Sequence, residues 1–162
     1  MKATELLDIL REFYRDRLTL RNRTVAAAAH IADYNFNNTY QYVINRSDGH
    51  VRWLQDAIAD MGGTAEELPL PEVSAPGKGK DAYRSVISAD RDATRAFVEK
   101  WTPRIDALPN ARHRSMLRVI LGEAREQQRF FEQALEGRDD LLGRRADGAG
   151  TGGGVIATRW VG

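Results

Sequence analysis

Apolar residues recur three or four positions apart in four long stretches of the chain, which is the spacing of one face of an α-helix. Glycine, proline or short polar runs interrupt this pattern between the stretches. A helix that is apolar along one face must bury that face against another element. The pattern therefore predicts an all-α protein in which four helices pack around one core.

The first two stretches predict a helical hairpin. The first helix is expected to begin near Thr4, which is able to cap it, and to run for about eight turns until NFNN (35–38) ends it. The second helix should end at Gly62 and Gly63, which favour a left-handed helix end. The predicted inward positions are Leu6, Leu7, Leu10, Phe13, Leu20, Val25, Ala28 and Ile31, followed by Phe36, Tyr40, Val43, Leu54, Ile58 and Met61.

The segment TAEELPLPEVSAPGKGK (64–80) contains three prolines and two glycines and has no helical period. It predicts an irregular connection, long enough to cross over along a bundle. The third helix is expected to stop at Pro103, because a proline pushes the residue before it out of the helical region. The fourth helix should begin around Asn110 and end near Gly137. Two hairpins joined by a long crossover predict an up-down four-helix bundle over residues 1–140.

Residues 141–162 form a second predicted segment, a glycine-rich linker that leads to a short apolar C-terminal hook. Seven of the chain's glycines lie in residues 143–162, a composition typical of a flexible chain. The sequence leaves three alternatives open for the hook: a disordered end, docking on a neighbouring subunit, or recognition by a larger shell protein. Its apolar residues are Val155, Ile156, Trp160 and Val161.

Composition excludes several classes of protein. The 24 basic and 23 acidic residues give a net charge of +1, and no cluster of Lys and Arg with interleaved aromatics favours nucleic acid. The chain has no cysteine, so it forms neither disulfides nor thiolate metal sites, which fits a reducing compartment. No apolar run approaches the roughly 18 residues of a membrane span. We therefore expect a cytoplasmic protein without a nucleic-acid or membrane partner.

The stretch DGHVRWLQDAIADMGG (48–63), together with the architecture expected for residues 4–137, resembles the ferritin-like superfamily, in particular its rubrerythrin-type branch. In that family the bundle core binds two iron or manganese ions. The ligands are a carboxylate on each of two helices and a Glu-x-x-His pair on each of the other two. The resemblance also implies a homodimer through the first two helices, to which the apolar residues Trp53 and Tyr42 would contribute.

The chain differs from the family's ligand pattern on the second and fourth helices. His50 matches the family's histidine on the second helix, but Ser47 stands where the glutamate would be. On the fourth helix Glu123 is followed at the histidine position by Glu126, or by Gln127 in another register. A serine is a poor ligand for a hard cation, so half of the second helix's motif is missing.

The first and third helices supply one expected ligand between them. The family's spacing places Tyr14 at the ligand position of the first helix, whereas Asp90 is the charged residue on the third helix's apolar stripe. Arg17 lies on the inner stripe of the first helix. Because a buried carboxylate must be paired, protonated or metal-bound, we expect the Arg17 guanidinium to pair with Asp90 or Glu123.

Two classes of function remain open. The first is a ferritin-like binding or structural protein without cofactor, whose degenerate metal site is replaced by a buried polar network that includes Arg17, Ser47 and Gln127. The second is an iron or manganese oxidoreductase or storage protein whose metal site has fewer ligands than the family's. Its ligands would be His50, Asp90, Glu123 and Glu126. The core's own cation favours the first class. Whether the protein is an enzyme, and which residues would be catalytic, stays open.

Overall fold

The computed structural model describes residues 1–74, 79–138 and 141–142, leaving aside the side chains of residues 80 and 81. It contains four helices, which are α1 (Ala3–Ala28), α2 (Tyr34–Asp60), α3 (Lys80–Asp106) and α4 (Ala111–Leu135). The described ranges contain no β-strand, which confirms the predicted all-α four-helix class. None of the helices in these ranges combines the length and the apolar composition that a membrane span requires. The predicted hook at residues 155–161 lies outside the described residues.

The helices pack as two hairpins, α1 with α2 and α3 with α4, and the hairpins meet where α1 contacts α3 and α2 contacts α4. Glu12, early in α1, pairs with Arg104 near the end of α3, whereas Arg23, late in α1, pairs with Asp90 early in α3. α1 and α3 therefore run in opposite directions, so α2 and α3 run in the same direction. The order is up, down, down, up, which corrects the predicted up-down arrangement.

The link between α2 and α3 makes this order possible, because it travels along the bundle beside α1. The Tyr14 hydroxyl donates to the Glu66 carbonyl at 2.8 Å, and His30 Nε2, near the end of α1, lies 2.6 Å from the Val73 carbonyl oxygen. The described part of the link has no regular secondary structure. The predicted irregular crossover is thus confirmed as far as residue 74.

The boundary between α1 and α2 differs from the prediction. The Asp33 carboxylate accepts hydrogen bonds from the backbone N–H groups of Asn35 and Phe36, at 3.0 and 3.2 Å, and so caps α2. The prediction that NFNN ends the first helix is wrong, because this cap places those residues in the first turns of α2. α1 begins at Ala3, so Thr4 lies within its first turn instead of capping it.

The end of α3 also differs, because Pro103 lies inside the helix and α3 continues to Asp106. A proline in a helix leaves the carbonyl four residues earlier without its N–H donor. In α3 that carbonyl belongs to Glu99, an exposed residue, so water can take the missing donor's place. The Ala107 N–H donates to the Pro103 carbonyl at 3.2 Å and completes the last turn.

The other predicted helix ends are confirmed. Gly62 follows α2 with φ of 81° and Gly137 follows α4 with φ of 94°, and both lie in the left-handed region that glycine adopts without strain. Asn110 caps α4 by accepting a hydrogen bond from the His113 N–H at 3.0 Å.

The buried apolar residues form two clusters along the bundle, one containing Leu10 and Trp101 and the other containing Tyr40 and Phe131. Buried polar side chains from all four helices lie between or beside the two clusters. We call six of them the polar layer; they are Arg17, Ser47, His50, Asp90, Thr94 and Gln127.

Candidate functional site

Arg17 joins α1 to α2 inside the polar layer. Its side chain is buried, with Nη2 donating to Ser47 Oγ at 2.5 Å and Nε donating to His50 Nδ1 at 3.3 Å. Ser47 and His50 are three residues apart on α2 and so project from the same face. The Ser47 hydroxyl in turn donates to the Val43 carbonyl at 2.7 Å. Arg17 Nη1 is buried without a hydrogen-bond partner among the residues that the structure describes.

His50 continues this chain of hydrogen bonds to α4, because its Nε2 lies 2.9 Å from Glu123 Oε1. Arginine can only donate, so Nδ1 must accept from Arg17 and the neutral ring must carry its proton on Nε2. Burial, together with the Arg17 charge, lowers the pKa of His50 to about 4. At neutral pH His50 is therefore uncharged, with one nitrogen accepting from Arg17 and the other donating to Glu123.

A second arginine holds the carboxylates of α4 on the side that faces α2. Arg46 Nε lies 3.3 Å from Glu123 Oε2, and Arg46 Nη1 donates to Glu126 Oε1 at 2.9 Å and to the Tyr42 hydroxyl at 3.0 Å. Both glutamate side chains are partly exposed, at 27% for Glu123 and 42% for Glu126. This cluster therefore connects the polar layer to solvent.

Asp90 has different partners. Its carboxylate is buried and accepts from the Tyr40 hydroxyl at 2.6 Å and from Arg23 Nε at 2.8 Å. Burial raises the pKa of Asp90 to about 6, although the hydrogen bond from Tyr40 and the charge of Arg23 both act in the opposite direction. The Asp90 backbone carbonyl accepts from the Thr94 hydroxyl at 2.7 Å.

The prediction that Arg17 pairs with Asp90 or Glu123 is wrong, because Arg23 and Arg46 are the cations that reach these carboxylates. The reason lies in the antiparallel register of α1 and α3. Asp16, the neighbour of Arg17, accepts from Trp101 Nε1 at 2.8 Å, so Arg17 lies near the level of Trp101. Asp90 is eleven residues earlier in α3 and lies level with Arg23 instead.

The remaining member of the polar layer, Gln127, reaches α3. Its Nε2 lies 3.4 Å from the Thr94 hydroxyl oxygen, which is a long hydrogen bond. Gln127 is one turn after Glu123 on α4, so it extends the network from the His50 pair towards Asp90. Of the predicted network residues, the structure joins Arg17 to Ser47 directly and places Gln127 on Thr94.

Sequence reasoning missed the roles of Arg23, Arg46 and Tyr40. Periodicity places Tyr40 on the apolar stripe, which is correct for its ring but leaves out its buried hydroxyl. Arg23 and Arg46 lie at the edges of the inward faces, and long side chains from such positions can extend along apolar surface to a polar partner. An edge arginine within reach of a buried carboxylate is the signal that could have identified both.

The predicted metal ligands do not converge on one point. His50 and Glu123 are in contact and Glu126 shares Arg46 with Glu123, whereas Asp90 is held by Tyr40 and Arg23. Within the described ranges, no group of three His, Asp or Glu side chains is placed to hold a metal ion. This arrangement of donors does not fit a two-metal centre, because an arginine holds one oxygen of each carboxylate, and Tyr40 and His50 hold the second oxygens of Asp90 and Glu123.

No protein-family model, curated protein or solved structure matches the chain. The ferritin-like resemblance therefore rests on the sequence motif and on the helical architecture. The role of the polar layer follows from its own contacts and charges.

Proposed function

We propose that this protein is a ferritin-like bundle with a binding or structural role, in which a buried polar network takes the place of the metal centre. Two hairpins joined by one long crossover are the arrangement of ferritin-like folds, and this supports the family. The polar layer lies in the middle of the core and draws on all four helices, as a metal centre of that family would. The main support for this proposal is that both ring nitrogens of His50 form hydrogen bonds within the protein.

A histidine binds a metal ion through the lone pair of an unprotonated ring nitrogen. The Nδ1 lone pair of His50 accepts from Arg17, and Nε2 carries the proton donated to Glu123. Moving the proton to Nδ1 would set that N–H against the Nε–H of Arg17, two donors facing each other. Arg17 therefore holds His50 in the tautomer whose outward nitrogen cannot ligate.

The charges of the region support the same interpretation. A pair of divalent ions needs about four carboxylates to balance it. This region has three carboxylates and three guanidinium groups, so its charge is balanced without a metal. The carboxylates are those of Asp90, Glu123 and Glu126, and the guanidinium groups are those of Arg17, Arg23 and Arg46.

Elemental analysis tests the proposal. The full chain is purified without chelator, and its iron and manganese are measured beside those of His50→Ala. We expect metal far below stoichiometric amounts in both proteins. We also expect no rise in the thermal midpoint when Fe²⁺ or Mn²⁺ is added anaerobically, since a ligand that binds the folded state would raise it. Stoichiometric iron or manganese that disappears in His50→Ala would overturn the proposal.

The alternative is an iron- or manganese-binding protein, which would be an oxidoreductase or a storage protein whose metal site has fewer ligands than the family's. One observation favours it: Glu123 and Glu126 lie one turn apart, partly exposed, with His50 2.9 Å from the first. A metal would have to displace Arg46 from both carboxylates. On this alternative Arg46→Gln would tighten metal binding, whereas on our proposal both proteins stay metal-free.

A further inference from the structure

Three of the four long faces of the bundle are already covered or charged. The link from α2 to α3 lies along α1, as the Tyr14 contact with Glu66 shows. The face between α1 and α3 carries ion pairs such as that of Asp16 with Lys100. The face between α3 and α4 carries others, such as those of Arg118 with Asp106 and Arg95 with Glu132.

The face shared by α2 and α4 also carries ion pairs, those of Arg46 with Glu123 and Glu126, but two turns after Arg46 it exposes large apolar side chains as well. Trp53 of α2 is 44% exposed and Val119 of α4 is 49% exposed. The contact of His50 with Glu123 sets the register of these antiparallel helices. Trp53 is three residues after His50 and Val119 is four residues before Glu123, so the two lie at nearly the same level, and we call these two exposed side chains the apolar patch.

Two glycines flatten the surface beside this patch. Gly49 and Gly122 directly precede His50 and Glu123, and a Cβ placed on either would meet no atom within 4 Å. A glycine inside a helix costs about 1 kcal/mol relative to alanine. On this face the glycines leave room for another helix to approach the backbone closely.

The charges on the outer side of α2 would complement those of a second copy of α2 that runs antiparallel to it. Arg52 and Asp56 are exposed, one turn apart, and neither has an ion pair within residues 1–74, 79–138 and 141–142. If a second α2 ran antiparallel across the first, each Arg52 would lie opposite the partner's Asp56. The same register sets Gly49 opposite the partner's Ala59, another small exposed residue. A surface that matches itself in this way is the requirement for a two-fold dimer.

We propose that the outer face of α2, with Gly49, Arg52, Trp53 and Asp56, is the interface of a homodimer. Two copies meet with their α2 helices antiparallel about a two-fold axis near residue 54, and Val119 of α4 extends the contact. Trp53 is buried at the centre, and Arg52 and Asp56 form two equivalent ion pairs across the axis. This interface uses α2 without α1, unlike the expected one, because the link packs along α1 through contacts such as those of Tyr14 and Asn22.

Sedimentation equilibrium of the full chain tests the proposal. We expect the wild type to dimerise at about 100 µM, a concentration at which even a weak interface is populated. Arg52→Asp and Asp56→Arg should each raise the dimer dissociation constant at least about tenfold, because each sets like charges opposite one another. The double variant should restore the wild-type constant, since the two charges have only changed places.

Asp8→Arg is the matched control, because it reverses an exposed charge on α1, away from the proposed interface, and should leave the dissociation constant unchanged. Circular dichroism shows whether each variant remains helical. A monomeric wild type would overturn the proposal. So would a double variant no better than the single ones, or a control that weakens the dimer equally.

Discussion

His50 and Asp90 are both buried, and burial moves their pKa values in opposite directions. A low-dielectric environment favours the uncharged form of each group. For His50 burial and the neighbouring Arg17 charge lower the pKa from 6.5 to about 4, and for Asp90 burial raises the pKa from 3.8 to about 6. Both groups therefore make stability depend on pH in nearly the same pH range, but with opposite sign.

Replacing either residue should reveal how the other one makes the free energy of unfolding depend on pH. Between about pH 4 and 6 folded Asp90 binds more protons than unfolded Asp90, so its contribution to the free energy of unfolding falls as pH rises. Between about pH 4 and 6.5 folded His50 binds fewer protons than the unfolded residue, so its contribution rises. Relative to wild type, the stability of His50→Gln should fall with pH, and that of Asp90→Asn should rise, by up to ~1.4 kcal/mol per pH unit. Urea unfolding at several pH values measures these slopes, and equal slopes in all three proteins would contradict the pKa assignments.

The Arg17→Met variant tests whether Arg17 acts as the ion-pair partner of a buried carboxylate. Because Arg17 contacts His50 and Ser47 and leaves Nη1 unsatisfied, an apolar side chain of similar length should change stability by less than about 2 kcal/mol. The pKa of His50 should rise towards its usual value, since the Arg17 charge helps to lower it. Denaturant unfolding and an NMR titration of the His50 ring measure both effects. A loss of about 3 to 5 kcal/mol would indicate that Arg17 does neutralise a buried carboxylate.

Sequence periodicity predicted the number of helices, most of their inward positions and the glycine ends of α2 and α4. Four predicted inward residues are only half-buried: Leu7, Val25, Ala28 and Met61. It failed where a local signal competed with a longer one. NFNN looked like a break, but the Asp33 cap lies before it. Pro103 lies in the last turn of α3, and the carbonyl that it leaves without a donor belongs to the exposed residue Glu99. Periodicity also assigned Arg17 and Asp90 to the interior without giving their levels. Arg23 is the partner of Asp90 because of the relative direction and register of α1 and α3. The sequence pattern of one helix alone does not specify either of these.

The caps can be tested as elements. Asp33→Ala and Asn110→Ala each remove a side chain that accepts from the first turn of a helix, so each should lower the free energy of unfolding by about 1 kcal/mol. Asn45→Ala, at an exposed position inside α2, is the control and should be neutral or slightly stabilising. Thermal and urea denaturation measure all three. If Asp33→Ala were as stable as the control, Asp33 would not be the residue that caps α2.

Among the residues that the structure describes, side chains between Leu6 and Leu142 form the two apolar clusters of the bundle. Deleting residues 150–162 should therefore leave the helical circular dichroism and the thermal midpoint nearly unchanged. If the hook containing Trp160 docks on a subunit or on a shell protein, the deletion should change assembly or partner binding. Light scattering and co-purification of the full and shortened chains measure this. Unchanged assembly and partner binding would show that the hook has no docking role, and unfolding on deletion would contradict the independence of the bundle.

We propose that hydrogen bonds within the protein, and not a metal ion, engage both ring nitrogens of His50. Long-range 15N–1H NMR correlation spectra of the full chain, recorded with and without added Zn²⁺ or Fe²⁺, show which nitrogen of the His50 ring carries the proton. We predict a protonated Nε2 and an unprotonated Nδ1 near neutral pH, with nitrogen shifts that do not change when metal is added. A ring protonated on Nδ1, with an Nε2 signal that moves on metal addition, would contradict the claim.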